Sequence, residues 1–258
     1  DIIFKCQLCS PELKNWSNTT CAPEPLEVAR ELKTKCVEEG KIPLEIIAMM
    51  DGLRKEDNIF GKPKAERGDW AKGLDVKDIS KEKAEVFFHA GCAFSYDEEL
   101  WPIVRAQVNM LKGAGVDIGI AGKGEACCGA HAFDVGYRGE LEKYAEDMMG
   151  RVKASGAKIL VTPCANCYGA FKQFYPMIGR NFDGIEVLHI TEYLAQLIKE
   201  GKIKPKEEMP MQVTYHDPCH LGRLGEVYEP WKGEYKHVDL LVVSEPPKQW
   251  RDGSGGVY

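Results

Sequence analysis

The residues most able to do chemistry in this 258-residue chain are its ten cysteines, and six of them stand in close pairs: Cys6 and Cys9, Cys127 and Cys128, Cys164 and Cys167. A thiolate is a strong nucleophile and a soft metal ligand. A lone buried cysteine acts as a small hydrophobe, and a single C-x-x-C serves zinc or a thioredoxin-like dithiol. Secreted disulfide scaffolds are usually shorter and denser in cysteine than this chain. With no recognisable signal peptide, paired cysteines on an acidic chain point to a reducing compartment and to metal or redox work.

The elements around these residues decide whether they meet. From residue 85 onward, strand-like apolar runs (86–89, 116–121, 158–162, 185–190, 212–216, 238–243) alternate with helical stretches (98–112, 139–154, 170–177, 191–200). That alternation predicts βαβ units and an α/β fold on a parallel sheet. Cys92 follows the first run, Cys127 and Cys128 the second, and Cys164 and Cys167 the third. In a parallel sheet the carboxyl ends of the strands share one edge, where ligands bind. Five thiols spread over 75 positions are therefore expected to converge. The loops there carry Gly91, Gly122, Gly124, Gly129 and Ala130, which let backbone approach a bulky group. Soft thiolates suit iron–sulfur clusters or zinc, and five exceed the four of a tetrahedral zinc site or an ordinary cubane.

The spacing Cys92-x34-Cys127-Cys128-x35-Cys164-x2-Cys167, with ACCGA at 126–130 and TPCANC at 162–167, resembles the cysteine-rich CCG module of heterodisulfide reductases and related respiratory iron–sulfur subunits. The resemblance implies a noncubane [4Fe–4S] cluster held by Cys92, Cys127, Cys128, Cys164 and Cys167. YHDPCHLGR at 215–223 looks like the start of a second copy, and VTYHDPC (213–219) echoes VFFHAGC (86–92) at a period of about 127 residues. The second Cys-Cys pair and C-x-x-C of that copy are not in the sequence, so the natural protein is expected to continue past Tyr258. Cys219 would be a ligand only in a completed second module.

Cys6-x2-Cys9 followed by Cys21-Ala22-Pro23 resembles part of a ferredoxin motif, without the third closely spaced cysteine. The segment 37–63 is similar to the one that joins a ferredoxin-like domain to CCG modules in fused heterodisulfide reductases. Cys6, Cys9 and Cys21 are thus expected to hold a second cluster, [4Fe–4S] or [3Fe–4S], with zinc or an empty motif as the alternatives. Cys36 reads as structural or exposed. The organisation expected is a partial, mostly helical ferredoxin-like segment at 1–62, a linker at 63–84, a first CCG module at 85–210 and a truncated second at 211–258. A helix is expected over 43–54. His89, His131, His216 and His220 lie near the cysteine loops and could donate to cluster sulfur, although each is more often a core or loop histidine. Phe94, Tyr96 and Trp101 could wall off a cluster or simply pack helices.

A net charge of −6 argues against nucleic acid as a partner. No apolar run reaches the roughly 20 residues of a membrane span. No Gly-rich phosphate loop, dinucleotide fingerprint or serine elbow is present, so there is no independent flavin or nucleotide site. The chain begins at Asp1, which suggests an upstream piece. The expectation is an oxidoreductase subunit of a heterodisulfide-reductase-like complex that relays electrons, with thiol–disulfide chemistry at the noncubane cluster as a further role. The resemblance implies a flavin subunit, an electron-transferring flavoprotein or a cytochrome b membrane subunit as partner. It places the chain in the cytoplasm, or at the inner membrane face through that partner. Two rival readings are a zinc-stabilised binding protein without redox function, and a thiol–disulfide oxidoreductase using Cys164 and Cys167 alone.

Overall fold

The computed structural model describes residues 2–5, 25–206, 218, 220–222, 225 and 227. Cys6, Cys9, Cys21 and Cys219, His216 and the runs expected as strands at 212–216 and 238–243 lie outside the described residues.

Five parallel strands form one sheet in the order β1-β3-β2-β4-β5. They are β1 (Lys77–Asp78), β2 (Val86–Phe88), β3 (Ile118–Ile120), β4 (Ile159–Thr162) and β5 (Glu186–His189). Val86 pairs with Ile118 on one side and Ile159 on the other, and Ile159 pairs with Glu186. The α/β fold expected from the alternating runs is the one found. β1 falls within 63–84, the stretch read as a linker. Its two residues are charged and join the sheet through backbone pairing of Lys77 with Gly119, so no apolar pattern marks them.

Side chains on strands alternate between faces, and the sheet accordingly separates two cores. Phe87, Leu160 and Val187 face one side, against α2 (Leu44–Glu56), α5 (Ala130–Asp134) and α6 (Arg138–Ser155). Val86, Phe88, Val161 and Leu188 face the other, against α4 (Trp101–Gly113) and α8 (Ile190–Lys199). The helices follow the same logic. In α6 the buried residues Leu141, Tyr144, Ala145, Met148 and Val152 recur at helical spacing, and in α8 Ile190, Tyr193 and Leu197 do so. Each large apolar side chain so buried contributes about 1.5–3 kcal/mol. Gly119 is required by proximity, because a Cβ there would lie 2.5 Å from Ile79 Cγ2 and 2.8 Å from Ala84 Cβ.

α1 (Pro25–Glu38) precedes α2 and packs toward α5. Gly136 (φ +97°) allows this approach: a Cβ there would stand 2.7 Å from the backbone at Lys33 and Thr34. The helix expected over 43–54 is α2. Its Met50 and Leu53 enter the same core as the cysteines of the sheet edge.

The connection from β2 leads to β3 on one side, and the connection from β3 crosses back to β4 on the other. The strand order therefore reverses at β2, and the crevice outside the carboxyl ends at such a reversal is where open α/β sheets bind ligands.

Candidate metal centre

Each cysteine of the sheet edge is positioned by a short element at the end of its strand. After β2 the chain turns at Gly91 (φ +80°), which opens the six-residue helix α3 (Gly91–Tyr96) with Cys92 as its second residue. After β3 a turn at Gly122–Gly124 leads to Cys127 and Cys128, and Gly129 (φ +78°) then opens α5. After β4, Cys164 caps and Cys167 lies within α7 (Ala165–Gly169), which runs on through a π-helical stretch, Ala170–Phe174, to a last turn at Tyr175–Met177. Pro176 lacks a backbone N–H, so the regular α pattern cannot persist through it. Helices with a π stretch are often found beside functional sites.

The structure brings the five thiols together. Cys92 neighbours Cys127, Cys127 neighbours Cys128, Cys128 neighbours Cys167, and Cys167 neighbours Cys164, each close enough to shift the titration of the next. The two ends of this chain of thiols also act on each other electrostatically. Cys92, Cys127, Cys128 and Cys167 are buried, Cys164 is half-buried, and none is in a disulfide. Gly91 lies against the far end: a Cβ there would stand 3.0 Å from Cys167 Sγ and 3.4 Å from Cys164 Cβ.

Proton sharing splits the set. The hydrogen bond to Cys127, then burial, pushes the Cys92 thiol well up, and bonds to Cys128 and Cys164 do the same to Cys167. Hydrogen bonds from Cys127 and Cys167 pull Cys128 down, and the one from Cys167 pulls Cys164 down. Five thiolates this close cannot all ionise in a buried site unless positive charge enters among them. The donor set thus fits a soft, cationic inorganic group. Among the described residues no three His, Cys, Asp or Glu side chains close on a single metal-ion position; the thiols are linked in sequence from Cys92 to Cys164.

Among the described residues, Arg67 brings a positive charge to the set. Arg67 has a fully buried side chain and places Nη1 and Nη2 each 3.6 Å from Cys92 Sγ. Its Nε and Nη2 donate to Glu125 Oε1 at 3.2 and 3.1 Å, Nη1 donates to the Asp57 carbonyl, and Nη2 also donates to the Ala126 carbonyl. Burial alone would lower its pKa, but the facing Cys92 sulfur and the Glu125 carboxylate outweigh that and raise it. The second Glu125 oxygen and the first accept from the Ala90 and Gly91 N–H groups. Neither Arg67 nor Glu125 stands out in the sequence. The available signal was a lone glutamate in GEACCGA, two residues before the cysteine pair, and an arginine in a stretch otherwise read as a linker.

Three of the histidines near the cysteine loops lie among the described residues. His89 is buried with Nδ1 3.5 Å from Glu125 Oε2, and burial lowers its pKa to about 4. His131 Nε2 is 2.9 Å from Asn166 Nδ2, and His220 Nε2 is 3.4 Å from Asp134 Oδ2. Tyr96 lies beneath the Arg67 guanidinium, 5.8 Å from ring centre to carbon, and its hydroxyl donates to the Pro63 carbonyl. Phe94 and Trp101 pack in the core on the opposite face of the sheet from the cysteines. Cys36 is a half-buried free thiol on α1.

Residues 86–172 match the family described as CCG, cysteine-rich domain. The chain is 32% identical over 227 residues to EtfAB:quinone oxidoreductase of Syntrophomonas wolfei, covering 86% of this chain and 31% of that protein. It is 31% identical over 256 residues to the probable iron-sulfur-binding oxidoreductase FadF of Bacillus subtilis, covering 92% and 36%. With a subunit of the dihydromethanophenazine:CoB–CoM heterodisulfide reductase of Methanosarcina acetivorans it shares 30% over 237 residues, covering 90% and 55%. The chain thus spans from just under a third to just over half of the length of these relatives. No solved structure matches it. The matched residues run from β2 into the π-helical stretch and take in all five thiols, so this part of the chain carries a cysteine-rich CCG domain, and the chain as a whole is similar to a heterodisulfide reductase subunit.

Proposed function

We propose that this chain is the iron–sulfur part of a heterodisulfide-reductase-like oxidoreductase and relays electrons through a noncubane [4Fe–4S] cluster on Cys92, Cys127, Cys128, Cys164 and Cys167. The observation that carries the reading is the gathering of five thiols at one sheet edge, each acting on the next, with the Arg67 guanidinium against Cys92. Such a set is one donor too many for tetrahedral zinc, and a C-x-x-C dithiol enzyme gives no role to Cys92, Cys127 or Cys128. The names of its relatives, an iron-sulfur-binding oxidoreductase among them, point the same way.

When bound, such a cluster takes up and releases one electron at a time. The chain itself supplies the thiolates, a buried arginine beside one of them, and the two sheet-face cores that exclude water. A redox partner must then dock close to the sheet edge, and a flavin subunit, an electron-transferring flavoprotein or a cytochrome b subunit fits that requirement. Among the described residues no helix is long and apolar enough to cross a membrane, so a link from these residues to a membrane carrier runs through another polypeptide segment or subunit. Cys6, Cys9 and Cys21 are proposed to hold a separate cluster that feeds the first. Thiol–disulfide chemistry at the five-cysteine cluster is the second role of the same site.

The test is anoxic purification of the full chain with iron, acid-labile sulfide and zinc analysis. A brown protein with iron and sulfide in equal amounts is expected. A colourless protein with stoichiometric zinc would overturn the reading.

A further inference from the structure

We propose that Arg67 is a positioning residue for the cluster on these cysteines, fixing a permanent positive charge and two N–H donors on the Cys92 sulfur and thereby setting the cluster's reduction potential. This rests on the iron–sulfur reading above.

The geometry distinguishes Arg67 from an ordinary buried ion pair. A bridge to Glu125 would use only Nε and Nη2, yet both terminal nitrogens also meet Cys92 Sγ at 3.6 Å. The guanidinium is held from several directions: by Glu125, by the Asp57 carbonyl at the end of α2, by the Ala126 carbonyl next to the cysteine pair, and by the Tyr96 ring. A planar fork braced in this way has no freedom to leave the sulfur. Lysine could not reproduce it, having a point charge on a flexible stem. Glu125 in turn bonds the Ala90 and Gly91 N–H groups, so the same carboxylate that orients Arg67 also holds the turn that leads into Cys92.

The charges are ordered sulfur, guanidinium, carboxylate, with the positive group nearest the sulfur. Hydrogen bonds and positive charge at a cluster sulfur favour the state with one more electron and raise the potential. Negative charge behind the guanidinium opposes that effect. Arg67 and Glu125 should therefore move the potential in opposite directions, although both take part in the same fold contacts. A merely structural pair would not behave so.

The experiment is an EPR-monitored redox titration, with dithionite as reductant, on the full chain purified anoxically, with iron per chain measured for each sample. Arg67→Met should lower the midpoint of the five-cysteine cluster, Arg67→Lys should lower it by less, and Glu125→Gln should raise it. A cluster on the N-terminal cysteines serves as an internal reference whose midpoint stays in place. Unchanged midpoints, or shifts of the same sign in Arg67→Met and Glu125→Gln, overturn the proposal. If Arg67→Met retains no iron, Arg67→Lys and Glu125→Gln decide on the same rule: lysine below wild type and glutamine above supports it, and any other pattern overturns it. Wild-type chain without iron sinks the iron–sulfur reading itself, whereas iron-loaded chains with unmoved midpoints sink only the role of Arg67.

Discussion

Gly91 faces Cys167 across the carboxyl edge of the sheet, and a Cβ on Gly91 would lie 3.0 Å from the Cys167 sulfur. The same glycine has φ +80°, a conformation that costs an L-residue roughly 1–2 kcal/mol. Two independent demands thus fall on one position, one from the turn after β2 and one from the thiols after β4. Gly91→Ala should destabilise the metal-free chain by about 1–3 kcal/mol in urea unfolding and lower iron per chain after reconstitution. An alanine variant with wild-type stability and full iron content would show that the close approach is not needed.

Tyr175 reaches the cysteine pair from the end of the π-helical segment. Its buried hydroxyl donates to the Cys128 carbonyl at 2.9 Å. Tyr175→Phe leaves that carbonyl without this donor in the core, which costs about 1–3 kcal/mol. The expected result is a lower urea midpoint with an unchanged slope, and an unmoved midpoint would mean that the carbonyl finds another donor.

How much of this was legible in the sequence depends on the kind of contact. β2, β3, β4 and β5 are apolar runs ending in Gly, Pro or polar residues, and burial on both faces writes itself into such runs. The convergence of the five cysteines followed, because a parallel sheet puts every strand's carboxyl end on one edge. β1 was not legible: Lys77 and Asp78 join the sheet by backbone pairing, which leaves no side-chain pattern. Arg67 and Glu125 were not legible either. They are 58 residues apart and belong to two loops, so nothing local marks either as buried. His89 stood one strand-end from Cys92 and looked available to a sulfur, yet it turns to Glu125 and Phe171.

His189 gives a pH-dependent stability. It ends β5 and begins α8, where its Nδ1 accepts from the Thr191 N–H and its own N–H donates to Glu192. Nε2 is 3.1 Å from the Pro163 carbonyl, next to Cys164, so the neutral tautomer carries its proton there. Burial lowers its pKa to about 4, below the roughly 6.5 of an unfolded histidine. The folded state therefore resists a proton that the unfolded state takes up. The contribution is fully present above about pH 6.5 and is lost as the pH falls toward 4, by on the order of 3 kcal/mol in total. His89 titrates in the same direction, so the difference between chains is what matters. Stability measured from pH 7.5 to 4.5 should fall less steeply in His189→Gln than in wild type. Parallel curves would place the pH dependence elsewhere.

The last prediction separates the two sets of cysteines. Cys127 stands second in the thiol chain, between Cys92 and Cys128, and its sulfur also accepts from the Gly129 N–H at 3.4 Å. Serine there keeps a small polar side chain but removes a soft donor. Cys127→Ser should abolish the signal of the five-cysteine cluster and lower iron per chain, while Cys36→Ser, on α1 and outside the thiol chain, should leave both unchanged. If Cys6, Cys9 and Cys21 hold a cluster of their own, Cys6→Ala removes a different part of the iron and a different EPR signal, and the double variant Cys6→Ala/Cys127→Ser loses both. Equal iron in wild type and Cys6→Ala would end the case for the N-terminal cluster. Iron that survives Cys127→Ser undiminished would instead remove Cys127 from the ligand set, and with it the reading that all five act on one group.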